Sequence, residues 1–261
     1  MSTKAAKTFL CLLTVIALFF PVRATALPLM DIEGAVGGWG VSPSGHMAYK
    51  GEQLDHLDLE DDFNFDDENE IFGRLKINTP FVIPNLYLMA TPLEYKATST
   101  RTETFKFGDY EFEASADFES RLTLDHYDIG LFYNIPLLKS LTLNRLNLEA
   151  GVNARIINAE AVVEQKESNR YEKKSETLPV PMIYLGLGLN PVERLGLEAE
   201  VRGISYSDYE ILSMIGRVKV RAVGPVFVSG GYRHDIYDIE EDDLIIDVDF
   251  SGPFLETGVK F

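Results

Sequence analysis

The sequence predicts an all-β fold, a transmembrane antiparallel up-and-down β-barrel of about ten strands. Three observations predict it. The chain opens with an export signal, the remainder alternates apolar and polar residues at the two-residue period of a strand, and the last residue is Phe261. A barrel wall in lipid has this pattern, because apolar side chains face outward and polar or small ones face inward. Eight strands are the alternative, if two of the weaker segments are loops.

An export signal occupies the start of the chain. Lys4 and Lys7 give it a basic start, an apolar run follows from Thr8 to Phe20, and Ala24-Thr-Ala26 supplies small residues before a cleavage point. That order is typical of a secretory signal peptide, and the apolar run is shorter than the ~20 residues of a membrane helix. We therefore expect a cleaved signal peptide over residues 1–26, with an uncleaved anchor as the alternative.

Composition bounds the mature chain, residues 27–261. Cys11, the only cysteine, leaves with the signal, so neither a disulfide nor a thiol ligand for zinc is expected. The signal also removes three basic residues and no acidic one, which takes the formal net charge from −17 to −20. Such acidity argues against nucleic acid as a partner, because phosphate binding needs an excess of Lys and Arg.

The strand prediction rests on alternation, which is clearest in residues 146–156. One face carries Leu146, Leu148, Ala150, Val152, Ala154 and Ile156, and the other carries Asn147, Glu149, Gly151, Asn153 and Arg155. A helix would scatter these charges around its circumference, whereas a strand separates them. The same test indicates strands within 30–41, 71–78, 85–107, 126–133, 183–188, 195–202, 214–222, 226–237 and 244–261.

The connections between these segments alternate in character. Short links that carry proline are typical of periplasmic turns, and they occur at 79–84, 135–142, 190–194 and 224–225. Longer or more polar links fall on the other side, at 42–69, 166–177 and 239–243. Gly108-Asp109 is predicted to be the tip of an outward-projecting hairpin. Both termini are then expected in the periplasm.

The polar face distinguishes a membrane barrel from the alternatives, a soluble β-sandwich or lipocalin-like barrel. Those folds show the same alternation but expose Lys, Glu and Thr to water. Here the polar face holds Gly, Asn and charges of both signs. Aromatic residues near strand ends also fit the girdles of a membrane interface, and they are Trp39, Tyr87, Tyr95, Tyr127, Tyr133 and Tyr232.

Thirteen charged side chains are predicted to point into the lumen. They are Arg74, Lys76, Glu149, Arg155, Glu198, Glu200, Arg202, Arg217, Lys219, Arg221, Arg233, Glu256 and Lys260. A narrow barrel is filled by side chains, and buried charges must pair because an unpaired buried ion costs several kcal/mol. The sequence therefore predicts a structural or binding protein with a salt-bridged lumen and no cofactor. A narrow channel for ions or small solutes is the alternative.

Two acidic clusters are expected on the outer side. The first places nine acidic residues among sixteen, at Asp55, Asp58, Glu60, Asp61, Asp62, Asp66, Asp67, Glu68 and Glu70, and the second is Glu240-Glu-Asp-Asp243. Neither has the spacing of an EF-hand, so no metal site is assigned and a solvated surface loop is expected. Divalent cations bridging these carboxylates to lipopolysaccharide phosphates are a hypothesis for a partner.

A second functional alternative is an outer-rim hydrolase or lipid A-modifying enzyme. His234-Asp235 lies where a strand should leave the membrane, with Asp238 nearby, and an imidazole beside a carboxylate can activate water. No serine motif accompanies the pair. We therefore assign no catalytic residue and expect a protein that is not an enzyme.

The end of the chain, Gly252–Phe261, resembles the assembly signal of bacterial outer-membrane proteins. Phe261, Val259 and Leu255 match its alternate apolar positions, and Thr257 departs from it. The resemblance implies recognition by the barrel-assembly machinery. Five further segments look like one family of proteobacterial outer-membrane barrels of unknown function, namely residues 27–33, 42–45, 57–62, 230–233 and 251–254. That resemblance implies a fold and an outer-membrane location, and no activity.

Overall fold

Fourteen β-strands make up the regular structure of the residues described by the computed structural model, which are 30–50, 56–80, 82–135, 142, 145–207, 209–241 and 244–261. The strands are β1 (Asp31–Tyr49), β2 (Leu57–Asp58), β3 (Glu68–Asn78), β4 (Asn85–Thr91), β5 (Glu94–Thr100), β6 (Phe105–Phe107), β7 (Tyr110–Phe112), β8 (Asp117–Asn134), β9 (Leu146–Gln165), β10 (Arg170–Val192), β11 (Leu195–Tyr206), β12 (Tyr209–Arg221), β13 (Val226–Glu241) and β14 (Leu244–Lys260). The predicted signal peptide, residues 1–26, lies outside this part of the chain. No described helix is long and apolar enough to cross a membrane.

The wall is a closed antiparallel barrel of ten strands. Each wall strand pairs with the wall strands before and after it in the chain, and β4 and β5 together form one wall strand against β8; β2 and the β6–β7 hairpin are not part of the wall. The ring closes where β1 pairs with β14, from Glu33 opposite Lys260 to Tyr49 opposite Leu244. Closure leaves the sheet without terminal edges, which is the condition for a sheet to span lipid. The predicted ten-strand antiparallel barrel is thus confirmed.

The wall is apolar on its outside. Val152, Ile183 and Leu255 expose 61–65% of their surface, while Arg155, Arg202 and Arg233 on the inner face expose 0–1%. A soluble barrel would have the opposite polarity, with water outside and apolar side chains filling the interior. The apolar outer face is therefore suited to contact with lipid.

The predicted aromatic girdle is only half present. Tyr127, Tyr133 and Tyr232 do face outward, with 42–55% of their surface exposed. The prediction was wrong for three others, since Trp39, Tyr87 and Tyr95 are buried inside the barrel. Strand parity decides the face: Trp39 lies between Gly38 and Gly40, which occupy the outward positions.

The two ends of the barrel differ in height. The end that carries Asp31 and Lys260, here called the termini end, also carries the short turns, such as residues 193–194 and 222–225. At the opposite end, here called the loop end, β9 and β10 run for 20 and 23 residues and meet at a four-residue turn, 166–169. At ~3.3 Å per residue these strands are ~66 and ~76 Å long, so even tilted they exceed an apolar band of about 25 Å. The predicted polar link over 166–177 was wrong, because most of it is strand.

A plug of aromatic side chains fills the loop end. The segment after β2 folds back into the barrel and buries Phe63 and Phe65, and the β6–β7 hairpin buries Phe105, Phe107 and Phe112. These rings stack closely, with 5.4 Å between the centroids of Phe63 and Phe65. The expectation of a simply solvated acidic loop was therefore wrong in part. The carboxylates of Glu60, Asp61, Asp66 and Asp67 face water, but the apolar residues between them anchor the segment.

The hairpin around Gly108-Asp109 also differs from its prediction. It does not project outward but packs against the wall, where Gly108 N donates to Tyr49 O at 2.8 Å and Asp109 N to Glu172 Oε2 at 3.2 Å. Lys50 Nζ donates to Asp109 Oδ1 at 2.8 Å and lowers the pKa of that carboxyl. Burying the Phe side chains of β6 and β7 is the driving force, since each large aromatic ring contributes roughly 1.5–3 kcal/mol when it leaves water.

Candidate functional site: the charged lumen

Below the aromatic plug, seven basic and seven acidic side chains of the described chain form ion pairs inside the barrel. The basic ones are Arg74, Lys76, Arg155, Arg202, Arg217, Lys219 and Arg233, and the acidic ones are Glu33, Asp128, Glu149, Glu198, Glu200, Asp235 and Glu256. All lie at inward positions of the strand alternation. The equal numbers balance the formal charges within this set of ion pairs, a condition for burying so many ions.

Arg74 ties together the strands at which the barrel closes. From β3 its guanidinium donates to both oxygens of Glu256 on β14, at 2.7 and 2.9 Å, and its Nη1 lies 2.8 Å from Glu33 Oε1 on β1. Ser229 Oγ donates to the same Glu256 at 2.5 Å. The Arg74 side chain has no exposed surface. Bidentate Arg–carboxylate contacts of this kind are among the strongest polar interactions in proteins.

Other ion pairs cross the bore between strands that are not neighbours. Lys219 Nζ on β12 lies 2.6 Å from Oε1 of Glu33 on β1, and it also lies 2.6 Å from Oε1 of Glu198 on the neighbouring strand β11. Lys76 Nζ on β3 donates to both oxygens of Glu149 on β9, at 2.7 and 2.8 Å. These contacts occupy the width of the lumen and also link the strands of its wall.

The same group of ion pairs, which lies toward the termini end, includes Arg217, Glu200 and Arg202, and Arg202 also stacks on aromatic rings. Arg217 Nη1 lies 3.2 Å from Glu200 Oε1, and Arg202 Nη2 donates to Glu200 Oε2 at 2.7 Å. The Arg202 guanidinium also lies 4.4 Å from the ring centroid of Tyr87 and 5.3 Å from that of Tyr184. Planar guanidinium groups stabilise such desolvated stacks through cation–π attraction.

A second cluster lies at mid-barrel. Arg155 donates to Asp128 from Nε and Nη2, both at 3.0 Å, and to Tyr237 Oη at 3.1 Å. Arg233 donates to Asp235 Oδ2 at 2.6 Å. These residues are at most 3% exposed, so the cluster is shielded from water.

His126 joins the mid-barrel cluster in a defined tautomer. Arg233 Nη2 lies 2.7 Å from His126 Nε2, and a guanidinium can only donate, so Nε2 accepts. The ring proton then resides on Nδ1, which lies 3.0 Å from Leu124 O and donates to it. Arg233 also lies 4.4 Å from the ring centroid of Trp39. Trp39 in turn donates from Nε1 to Gly252 O at 3.2 Å.

The structure places most of the thirteen predicted lumen residues in these clusters. Two lie at the edge: Arg221 is exposed at the termini end, and Lys260 is partly exposed with its Nζ 3.9 Å from Glu33 Oε2. Sequence reasoning missed Glu33, Asp128 and Asp235 as partners. All three occupy inward positions, and for Asp128 and Asp235 the alternation of their strands is the signal that would have found them.

His234 and Asp235 do not form the predicted imidazole–carboxylate pair. They are adjacent on β13 and therefore face opposite sides of the wall. His234 points outward, with Nε2 3.2 Å from Asp249 Oδ1, and Asp238 is exposed on the same outer face. Asp235 points inward, where the nearest imidazole is His126, 3.7 Å away.

The acidic loop uses part of its carboxylate set to hold its own turn. Asp58 Oδ1 accepts from the backbone N of Glu60 and of Asp61, both at 2.9 Å, and Arg101 Nε lies 2.8 Å from Asp62 Oδ1. Within the described ranges no group of three or more His, Cys, Asp or Glu residues is arranged to hold a metal ion. Asp55, Asp242 and Asp243 fall outside those ranges.

Comparison with solved structures gives the class of protein. OmpT, the outer membrane protease of Escherichia coli, matches with a TM-score of 0.51 and 10% identity over 88% of this chain and 97% of that chain. The translocator domain of the autotransporter NalP from Neisseria meningitidis (TM-score 0.43, 11% identity, 98% and 96%) and Ail, the attachment invasion locus protein of Yersinia pestis (0.38, 10%, 89% and 99%), also match. Neither a family model nor a curated protein matches the sequence.

The shared fold and the apolar outer wall define the chain as an outer-membrane β-barrel protein of the Gram-negative type. Its predicted location, the cell outer membrane, is confirmed. At 10% identity the likeness to OmpT concerns the fold alone.

Proposed function

We propose that this protein is a structural or binding component of the outer membrane, with a lumen closed by its own side chains. One observation carries the proposal: charged and aromatic groups fill the barrel at three successive levels. Arg74 and Glu256 are buried near the termini end, Arg155 and Arg233 at mid-barrel, and the phenylalanines of the plug at the loop end. A ten-stranded wall leaves little bore beyond the volume that such side chains occupy.

Conductance in planar lipid bilayers tests the closed lumen. The purified mature chain should insert without discrete current steps above baseline. Heat-modifiable migration of the reconstituted protein checks that it is folded in the bilayer. A variant that joins Thr100 to Asp117 through a short Gly-Ser linker, and so lacks the β6–β7 hairpin, should also stay closed because the ionic clusters remain. Steady single-channel openings of the unaltered chain would instead favour the narrow channel.

The surface that such a protein presents at the loop end is acidic. Glu60, Asp61, Asp66 and Asp67 are exposed there, because the apolar residues between them point into the plug. We propose that these carboxylates contact lipopolysaccharide phosphates through divalent cations. The test is binding of lipopolysaccharide to the protein in nanodiscs. Binding should depend on calcium and weaken in Asp66→Asn/Asp67→Asn, and it should not weaken in Glu193→Gln, an exposed acid at the termini end. Binding that survives chelation would contradict the bridge.

The last strand supports a proposal about biogenesis. Leu255, Val259 and Phe261 all point outward, with 39–64% of their surface exposed, on the strand that closes the ring against β1. We propose that the barrel-assembly machinery recognises this apolar row. We also propose that the chain belongs to the family of proteobacterial outer-membrane barrels that its sequence segments resemble.

A further inference from the structure

In the closed wall, the ladder between β10 and β11 ends early near the loop end. These two strands pair only from Val192 opposite Leu195 to Ile183 opposite Gly203. β10 nevertheless continues along β9 as far as Arg170, and β11 continues along β12 as far as Tyr206. Both strands are described throughout, so from Ile183 toward the loop end β10 has no partner on this side over 170–182, and β11 has none over its last three residues, 204–206.

A groove of about 890 Å³ occupies this gap. Its lining is almost entirely apolar and includes Val152, Ala154, Pro181, Ile183, Val201 and Leu212. The groove lies at the height of the lipid-facing band. Ile129, an exposed apolar residue of β8, lies opposite Ala154 on β9, and Ala154 lies opposite Pro181 on β10. The groove therefore opens toward hydrocarbon. Behind it the lumen is filled by the mid-barrel cluster, so a ligand would enter from the membrane.

The open edge is unsuited to pairing with another strand. Pro179 and Pro181 lie on it and have no backbone N–H to donate. Lys173 follows further along, on the outer face, and prolines and lysines are the residues with which natural sheets block strand addition. A second copy of the chain, docked edge to edge, is therefore disfavoured as the occupant.

Apart from Asn153, whose buried amide donates to Asp128 behind the groove, the polar lining lies at one end. Ser205 and Glu210 lie opposite each other there, beside the turn between β11 and β12 at the loop end. Glu210 is opposite Asp238, which is opposite Asp247, and all three side chains are on the exposed outer face. This row of carboxylates repels a bare phosphate and attracts an ammonium group.

We propose that the groove binds one acyl chain of a phospholipid with an amine-bearing headgroup of the phosphatidylethanolamine type. The chain lies in the groove beside the open edge of β10, and the headgroup ammonium lies at Ser205 and Glu210. The volume is within the range of ligand pockets, roughly 300–1,000 Å³, and an apolar lining with a few polar groups at one end is what such pockets present to an amphiphile. The inference requires the outer-membrane location but does not depend on whether the lumen conducts.

Photo-crosslinking tests the site on the intact mature protein in detergent micelles. The probe is phosphatidylethanolamine with a diazirine in one acyl chain, and adducts are mapped by peptide mass spectrometry. They should concentrate in residues 181–185, 201–205 and 210–212. Ala154→Phe fills the groove and should lower labelling about fivefold or more. Ala199→Phe adds the same ring at an exposed outward position outside the groove and should change nothing.

Two further arms complete the test. Heat-modifiable migration in gels confirms that each variant is folded, and Val152→Trp replaces Ala154→Phe if the latter does not assemble. A diazirine derivative of lipid A should label the groove less than the phosphatidylethanolamine probe, and Glu210→Gln should reduce that preference. Adducts spread evenly around the outer wall, labelling that survives the filled groove, or equal labelling by both lipids would overturn the proposal.

Discussion

Removing the Arg74 side chain should strongly destabilise the barrel. In Arg74→Ala the carboxylates of Glu33 and Glu256 lose a fully buried partner that contacts them at 2.7–2.9 Å. Breaking a buried ion pair from one side costs about 3–5 kcal/mol, because the remaining charge is left in a poorly solvated site. Lys219 still lies 2.6 Å from Glu33 and compensates in part, so we expect a loss of about 3 kcal/mol in the free energy of unfolding.

The assay is equilibrium unfolding in lipid vesicles followed by the fluorescence of Trp39. It is the only tryptophan in the chain and is fully buried, so its emission reports on the interior. Lys166→Ala is the matched control, because its ion pair with Glu119 is exposed and such pairs contribute about 0–1 kcal/mol. Combining Arg74→Met with Glu256→Gln should recover part of the loss, since it removes one stranded charge. A loss below about 1 kcal/mol for Arg74→Ala would refute the dry, paired interior.

Three further perturbations have defined outcomes. Gly231→Ala should cost about 1–3 kcal/mol in unfolding free energy, because the added Cβ would lie 2.0 Å from Gly216 O. The control Gly38→Ala, whose Cβ would have no atom within 4 Å, should change the unfolding free energy by no more than about 0.5 kcal/mol. Equal effects of the two substitutions would contradict the packing. Phe63→Ala should loosen the plug by about 3–5 kcal/mol and expose it to limited proteolysis without unfolding the wall; unchanged resistance would argue against an anchored segment. Deleting Phe261 should lower the amount of heat-modifiable protein in the outer membrane severalfold, and normal levels would contradict the assembly signal.

The sequence predicted the wall well because lipid imposes a strict rule on it. Outward positions must be apolar in every membrane-spanning segment, so alternation is visible even in short stretches such as 146–156. Where strands leave the lipid, the rule lapses. β9 and β10 continue through 157–165 and 170–177 with charged residues on their outer faces, and nothing in their pattern distinguishes them from loops.

The contents of the barrel were harder to predict than its wall. Parity gave the inward direction of Arg155 and Arg217, but the partner of each depends on register across strands distant in sequence. Glu33 was missed because its strand is rich in glycine, which weakens the alternation. The open edge above Ile183 could not be foreseen, since a missing ladder leaves no mark in composition; Pro179 and Pro181 are its only local trace.

Thiol accessibility at Ser229 and Ser213 tests the closed, ion-filled interior most directly. Cys11, in the predicted signal peptide, is the only cysteine of the sequence, and both serines are 0–1% exposed, with hydroxyls that donate to Glu256 at 2.5 Å and to Asp235 at 2.6 Å. Ser229→Cys and Ser213→Cys in the folded protein should resist a charged, water-soluble methanethiosulfonate reagent and react fully once the barrel is unfolded. Reaction in the folded state at the rate of a surface thiol would show water inside the cylinder and contradict the account.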